Sequence, residues 1–153
     1  MHAHLGATAA TAAAAEPMNT FHLSLDVPDL ASAVAFYREL FGVAPAKEKP
    51  GYAKFELPDP PLALALNENG HAGLSHLGIR VEDTATVEEA SARLKESGLA
   101  TFDERSTACC YARQDKVWVH DPAGNPWEVY TVLEDVEEND AATNCCGEGA
   151  ACC

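Results

Sequence analysis

Apolar and polar positions alternate along the chain with two different periods, and each period predicts one kind of element. The segment FHLSLDV at residues 21–27 alternates every second residue, as a half-buried strand does. The next segment repeats apolar residues every three or four positions, with Val34 and Tyr37 on one face, which predicts a helix between Asp29 and Gly42. Short alternating segments then predict strands at residues 43–47, 51–57 and 61–67.

The same order of elements then begins again. Residues 74–81 predict a strand, and residues 84–97 predict a helix that Gly98 ends. Three further strands are predicted at residues 101–108, 111–119 and 126–133. The order β-α-β-β-β therefore occurs twice at a spacing of roughly 55 residues, and His22 aligns with His76. The expected fold is an α+β domain over residues 18–133, made of two modules at about 18–70 and 71–133.

Both ends of the chain differ from this repeat. Residues 1–17 are rich in Ala and Thr and lack the basic and leucine-rich segments of a secretory signal, so a disordered extension is expected there. His2 and His4 are therefore not counted as ligands. Residues 134–153 are acidic and rich in small residues, which predicts a flexible tail.

The composition excludes some partners. A formal net charge of −14 over 153 residues argues against nucleic acid and anionic membranes. No apolar run approaches the roughly 20 residues of a membrane helix. The six cysteines form three adjacent pairs rather than the dispersed pattern of a disulfide scaffold, which predicts reduced cytoplasmic thiols that bind a soft ion. The pairs are Cys109–Cys110, Cys145–Cys146 and Cys152–Cys153.

Three side chains on predicted strands are candidate metal ligands. His22 and His76 take equivalent places in the two modules, and Glu128 lies within the last strand. Two imidazoles and one carboxylate leave coordination positions open, which suits Fe(II) and its oxygen chemistry or Zn(II) with a bound water. The alternative is that all three are ordinary strand residues. The repeat equivalence of the two histidines favours the metal site.

The doubled β-α-β-β-β order, the first-strand histidines and the segment HDPAGNPWEVY resemble the vicinal oxygen chelate superfamily, which contains glyoxalases, bleomycin-resistance proteins and extradiol dioxygenases. The turn residues that carry this resemblance are Asp121, Pro122, Gly124 and Asn125, followed by Glu128. The resemblance implies a cupped mixed sheet around a divalent metal held by the first and last strands of each module. The last strand of the first module, PLALALNEN, offers no carboxylate before Glu68. This departure favours a three-ligand iron oxygenase over glyoxalase I.

Within the superfamily, the segments FHLSLDV, AVAFYRELFG and TACCYARQDKVWVHDP, with the cysteine-rich tail, are similar to the organoarsenical carbon–arsenic lyase family, which overlaps with cadmium-induced proteins. This similarity implies an Fe(II)-dependent dioxygenase for arsenic detoxification. It would cleave trivalent organoarsenicals such as methyl- or arylarsenite with dioxygen and release arsenite. Ni, Co or Zn are possible occupants of the iron site after purification.

The similarity gives Cys109 and Cys110 the role of binding arsenic. A monosubstituted arsenic(III) has two exchangeable positions, and two thiols on one short segment fill both because the second binds intramolecularly. The carbon–arsenic bond is then fixed in one direction. Arg105, Arg113 and Lys116 follow or precede the pair and are expected to favour the thiolates.

Other residues receive weaker predictions. Residues 111–116 are expected to form a mobile loop that carries the substrate inward. Tyr130 is expected on the face of Glu128, where it would hydrogen-bond a metal ligand or the substrate. The tail pairs are accessory thiols that pass on or scavenge a soft ion.

Two other functions stay open. The first is a non-catalytic protein that sequesters cadmium or arsenic through its thiols, although sequestration would not need the histidine and glutamate set. The second is another metal-dependent glyoxalase or extradiol-type enzyme, which would leave Cys109 and Cys110 without a role. The expected oligomeric state is a monomer or a homodimer.

Overall fold

One eight-stranded sheet runs through the computed structural model, which describes residues 19–138. Two helices, α1 (Leu30–Phe41) and α2 (Thr84–Glu96), each follow the first strand of a module. The strands are β1 (Thr20–Val27), β2 (Lys47–Lys49), β3 (Tyr52–Pro58), β4 (Pro61–Glu68), β5 (Gly73–Arg80), β6 (Thr101–Cys109), β7 (Ala112–His120) and β8 (Pro126–Asp135). The predicted N-terminal extension and the four tail cysteines lie outside the described residues.

The sheet is mixed, and its centre joins the two modules. Its strand order is β2-β3-β4-β1-β5-β8-β7-β6. Strand β1 pairs parallel with β4 and antiparallel with β5, and β5 pairs parallel with β8. The first strands of the two modules are therefore neighbours within one chain. The predicted α+β class and the doubled β-α-β-β-β order are confirmed.

Capping side chains fix where both helices begin. Asp29 precedes α1, and its carboxylate accepts hydrogen bonds from the backbone N–H groups of Ala31 and Ser32. Asp83 does the same for α2 through the N–H of Thr86 at 2.8 Å. Helix α1 ends at Gly42, whose φ of 69° is readily adopted by glycine.

The helices pack against one face of the sheet and leave the other face to buried polar residues. Residues of α1 cover an apolar cluster around Phe55 and Leu64, and α2 contributes Val87 to a second cluster with Val117. Neighbouring residues along a strand point to opposite faces. The polar residues buried on the open face include Ser24, His22, His76, Lys116 and Glu128.

Two predicted strand boundaries are wrong. The strand expected at residues 43–47 begins at Lys47 instead, because the residue pairing with β3 starts at Lys47. Val43 lies before this pairing and is exposed. The strand expected from residue 111 begins at Ala112, because Cys110 and Tyr111 form a turn with φ angles of 55° and 57°. The mobile loop expected at residues 111–116 is therefore one turn residue followed by strand β7. Among residues 19–138, no helix combines the length and apolar character needed to span a membrane.

Candidate metal and thiol site

His22, His76 and Glu128 meet on the open face of the sheet. The two Nε2 atoms lie 3.3 Å apart. Oε1 of Glu128 is 3.6 Å from Nε2 of His22 and 3.5 Å from Nε2 of His76. All three side chains are buried, and one ligand atom from each lies within 4.8 Å of the others. The structure thus brings together the three residues predicted as metal ligands.

The register of the central strands produces this meeting. His22 on β1 is opposite Gly78 on β5, and Gly78 is opposite Glu128 on β8. A Cβ atom at Gly78 would lie 2.7 Å from Cγ of Glu128 and 2.9 Å from its backbone oxygen. Gly78 therefore makes the room that Glu128 occupies. The sequence analysis missed this residue, although a glycine inside a strand signals a close approach of this kind.

Lys116 completes the cluster from the neighbouring strand. Its side chain is fully buried, and its Nζ donates to Oε2 of Glu128 at 2.9 Å. Oε1 is left to face the two imidazoles. The expectation that Lys116 lies in a loop is wrong, because strand pairing places it in β7 beside Glu128. It stays within electrostatic reach of the cysteine pair, since burial lowers the pKa of Lys116 but the charges of Glu128 and Cys110 raise it.

The protonation states of these groups suit metal binding. Burial lowers the pKa of His22 to about 4, although the charge of Glu128 opposes this shift. Burial alone would raise the pKa of Glu128, but Lys116 and His76 hold it well below its usual value. Near neutral pH, His22 is therefore a neutral imidazole and Glu128 a carboxylate.

The donor set fits a borderline divalent ion. Metal-binding histidines usually use their second ring nitrogen for an outer hydrogen bond, and Nδ1 of His76 lies 3.0 Å from Oγ of Ser75. Two imidazole nitrogens and one carboxylate oxygen suit Fe(II), Co(II), Ni(II) or Zn(II) and leave positions open. Glu68 is not part of this set, because its Oε2 accepts from the N–H of Leu30 at 2.6 Å.

The adjacent cysteines form the tip of the β6–β7 hairpin. Cys109 is the last residue of β6 and pairs with Ala112, so Cys110 and Tyr111 are the two turn residues. Positive φ at both positions gives a two-residue turn whose twist matches that of the flanking strands. The two Sγ atoms lie 3.6 Å apart, and both side chains are buried beside Tyr52.

One small cavity joins the cysteine tip to the metal ligands. Its lining includes Cys110, His22, Glu128, Tyr52 and Tyr130. The cavity volume accessible to the centre of a water molecule is about 20 Å³, which is room for about one water molecule. The ring of Tyr130 makes an edge contact with His22 at 5.3 Å, and burial raises the pKa of the phenol well above its usual value. Tyr130 therefore presents a neutral hydroxyl beside the cluster.

The two arginines expected near the thiols bind other groups. Arg113 donates to the carbonyl oxygen of Ser106 at 2.6 Å and to the carboxylate of Glu134 at 3.2 Å. Arg105 donates to the carbonyl oxygens of Glu104 and Lys116. These hydrogen bonds of the two guanidinium groups go to backbone oxygens and a surface carboxylate.

Comparison with known families agrees with this architecture. The family model of the Glyoxalase/Bleomycin resistance protein/Dioxygenase superfamily matches residues 20–129. The chain belongs to this superfamily. The match extends from β1 into β8, so it includes every strand that contributes a candidate ligand. The resemblance stated from the sequence is confirmed.

Two relatives share about half of their residues with the chain over most of their length. It is 52% identical over 139 residues to the "Trivalent organoarsenical cleaving enzyme" of Thermomonospora curvata, covering 89% of each protein. It is 49% identical over 145 residues to the "Cadmium-induced protein CadI" of Mycobacterium bovis, covering 89% of this chain and 93% of the relative.

Solved structures of the superfamily show the same fold. Homoprotocatechuate 2,3-dioxygenase from Arthrobacter globiformis superposes with a TM-score of 0.60 at 26% identity, over 79% of this chain and 38% of the dioxygenase. The Mn(II)-bound glyoxalase from Novosphingobium aromaticivorans has the same TM-score at 17% identity, over 79% of this chain and 41% of the glyoxalase, and supports the fold alone.

Proposed function

We propose that this protein is an Fe(II)-dependent dioxygenase that cleaves the carbon–arsenic bond of trivalent organoarsenicals such as methyl- or phenylarsenite. The observation that carries the proposal is the single cavity that Cys110 shares with His22 and Glu128. In this cavity a thiol that can bind arsenic faces a histidine and carboxylate set that can bind iron, so one substrate could contact both. Relatives named trivalent organoarsenical cleaving enzymes support the substrate class.

The cysteine pair would hold arsenic through two sulfur–arsenic bonds. With the two Sγ atoms 3.6 Å apart, one arsenic atom can bridge both thiolates after losing its two exchangeable groups. The organic substituent keeps the third bond and is directed by the position of Cys110 at the cavity wall. Cys109 is disulfide-bonded in the structure, so arsenic binding by the pair requires that this bond be reduced first.

His22, His76 and Glu128 would hold the iron. When bound, Fe(II) with three protein ligands supplies the activation of dioxygen. The surrounding residues prepare the site for this ion. Lys116 fixes Glu128 so that Oε1 is the donor, and burial of all three ligands excludes bulk water. Tyr130 holds a proton on its hydroxyl at the cavity wall.

An arsenical substrate would need the cysteine tip to open before it enters, because the cavity has room for about one water molecule. Lys47 of β2 holds this tip by donating to the carbonyl oxygen of Tyr111 at 3.0 Å and to Asp135 at 2.8 Å. The proposed cycle is therefore capture of arsenic by the open tip, closure against β2, and reaction in the cavity. Arsenite and an oxidised organic fragment are the products.

The proposed setting follows from the same chemistry. Reduced thiols and Fe(II) require the cytoplasm. The proposed organisation is two modules at about 18–70 and 71–133; strand β8 continues to Asp135, past residue 134 where the tail was predicted to begin. A monomer is sufficient for activity, since both modules of one chain supply the ligands, and a homodimer is compatible with it.

The test begins with metal-free, reduced protein. It is loaded with Fe(II) without oxygen, mixed with phenylarsenite and then exposed to air, while arsenite release and oxygen uptake are measured together. We expect arsenite release coupled to oxygen uptake in the wild type. Cys110→Ser is expected to bind Fe(II) but not phenylarsenite, and His76→Ala is expected to bind phenylarsenite without releasing arsenite. No arsenite release from the Fe(II)-loaded wild type would contradict the proposal.

Thiol sequestration without turnover is the second candidate, favoured by relatives named cadmium-induced proteins. It predicts tight phenylarsenite and cadmium binding, no arsenite release, and equal binding by His76→Ala. A glyoxalase or extradiol-type reaction would show turnover that is insensitive to Cys110→Ser. The three functions are therefore separated by the same set of variants.

A further inference from the structure

Glu104 is a second buried carboxylate on the same face of the sheet as the metal-ligand cluster. It lies on the edge strand β6 and is only 7% exposed. Besides Lys116, its polar neighbours include the indole N–H of Trp118, whose hydrogen bond lowers the pKa of Glu104 but is too poorly aligned to satisfy either carboxylate oxygen fully. A buried carboxylate with so little hydrogen bonding is costly, so its position needs a physical reason.

The strand register places Glu104 directly beside Lys116. Glu104 is opposite Lys116 in the β6–β7 pair, and Lys116 is opposite Tyr130 in the β7–β8 pair. Residues opposite each other across antiparallel strands share a face, with Cβ atoms roughly 4.5–5.5 Å apart. Lys116 thus stands between two carboxylates, and its ammonium turns towards Glu128.

Lys116 responds to both carboxylates. Burial alone would lower the pKa of Lys116, but Glu128 and, more weakly, Glu104 raise it. Burial raises the pKa of Glu104, and the charge of Lys116 opposes this shift. Glu104 is therefore coupled electrostatically to the lysine, which it faces across the β6–β7 pair.

A divalent ion would change the charge balance among Glu104, Lys116 and Glu128, which lie on three neighbouring strands. Glu128 forms an ion pair with Lys116 at 2.9 Å, and Cys110 and Glu104 also act on the charge of the lysine. If a divalent ion were bound by Glu128, the ion and the ammonium would share one carboxylate, and two buried positive centres would repel each other. Glu104 is a buried carboxylate on the far side of Lys116 from Glu128, where it offsets that repulsion.

We propose that Glu104 is a positioning residue of the metal site, which balances the charge of Lys116 when a divalent ion occupies Oε1 of Glu128. This inference rests on the proposed metal site. Glu104 touches neither the ion nor the substrate, so its effect passes through Lys116. Substitution of a direct hydrogen-bond partner of a metal ligand, such as Lys116, typically weakens metal binding by about 10- to 100-fold, and an effect that passes through Lys116 is expected near the lower end of that range.

The test measures Co(II) affinity in metal-free, reduced protein by titration. Glu104→Gln removes the charge and keeps the shape of the side chain. Asp103→Asn is the matched control, because it removes the same charge from the preceding residue of β6. Asp103 binds Ser91 and Lys95 and not Lys116. We expect about tenfold or greater loss of Co(II) affinity in Glu104→Gln and a change of less than about twofold in Asp103→Asn. An equal affinity in Glu104→Gln and wild type overturns the inference.

A second comparison tests whether the effect passes through Lys116. In a Lys116→Met background, Glu104→Gln is expected to change Co(II) affinity by less than about twofold, because the charge that it balances is gone. The same loss in both backgrounds overturns the inference. If Lys116→Met does not fold, the Glu104→Gln and Asp103→Asn comparison decides alone, with the melting temperature of each metal-free variant as the check on folding. A wild-type protein that does not bind Co(II) contradicts the proposed metal site itself, whereas equal binding by wild type and Glu104→Gln contradicts only the role of Glu104.

Discussion

Metal-free protein is expected to lose stability as the pH falls from 7.5 to 5, because His22 is buried in its neutral form. The pKa of His22 is about 4 in the folded protein and 6.5 in a solvated histidine. Between these pKa values the unfolded chain binds a proton that the folded protein excludes, so acid favours unfolding. The contribution of neutral His22 to the free energy of unfolding is therefore fully present only above about pH 6.5. The difference between the two pKa values lowers the free energy of unfolding by about 3 kcal/mol below pH 4 and by about 2 kcal/mol at pH 5, relative to neutral pH.

The assay is urea unfolding of chelator-treated, reduced protein at several pH values, for wild type and His22→Gln. Glutamine keeps a polar group in place of Nε2 and cannot take up a proton. Glu128, whose pKa is held low, also favours unfolding in acid, but it does so in both proteins and cancels in the comparison. The free energy of unfolding of wild type should fall by about 2 kcal/mol more than that of His22→Gln between pH 7.5 and 5. Parallel curves for the two proteins would refute the assignment of His22 as a buried neutral imidazole.

Four further outcomes are expected. Gly78→Ala should displace Glu128, reducing Co(II) affinity and costing about 1–3 kcal/mol of stability in urea unfolding. Lys116→Met should destabilise metal-free protein by about 3–5 kcal/mol by leaving Glu128 unpaired, and the loss should shrink with Co(II); an equal loss would contradict the shared carboxylate. Cys109→Ser and Cys110→Ser should each abolish phenylarsenite binding, measured by arsenic retention on desalting, while leaving Co(II) affinity unchanged. Lys47→Gln should speed the reaction of the reduced cysteine pair with a thiol reagent in stopped flow, since it removes a hydrogen bond to the carbonyl oxygen of Tyr111, which then keeps the one from the N–H of Val136; an unchanged rate would show that Lys47 does not hold the tip.

The parts of the fold that could be predicted from the sequence are those with a local cause. The spacing of apolar residues along the chain predicted the strands and helices. The helix ends follow from local residues, namely the caps Asp29 and Asp83 and the C-terminal Gly42. The repeat equivalence of His22 and His76 predicted that the two would meet, because equivalent strands of two modules come together at the centre of a shared sheet. Their Nε2 atoms do lie in contact.

The parts that could not be predicted depend on register between strands distant in sequence. Lys116 is followed by the apolar, strand-like segment VWV, yet nothing nearby indicates that β8 places Glu128 within reach of its ammonium. Glu104 is hidden for the same reason, since its burial depends on β7. The predicted strands left the connection at residues 109–110, one residue before the observed turn at Cys110 and Tyr111, because that turn contains no glycine or asparagine, the residues that usually mark a two-residue hairpin.

Strand β7 connects the two halves of the proposed site. Its first residue, Ala112, pairs with Cys109 and closes the cysteine turn, and Lys116 farther along the same strand holds Glu128. A shift of one residue in the pairing of β7 would turn Lys116 to the opposite face and would also move the turn away from the cavity. The adjacency of Cys109 and Cys110 therefore has a structural consequence beyond the proposed bidentate arsenic binding. Because the pair ends one strand and begins the turn into the next, the position of an arsenic atom held by it would be set by the same register that positions the candidate metal ligand Glu128.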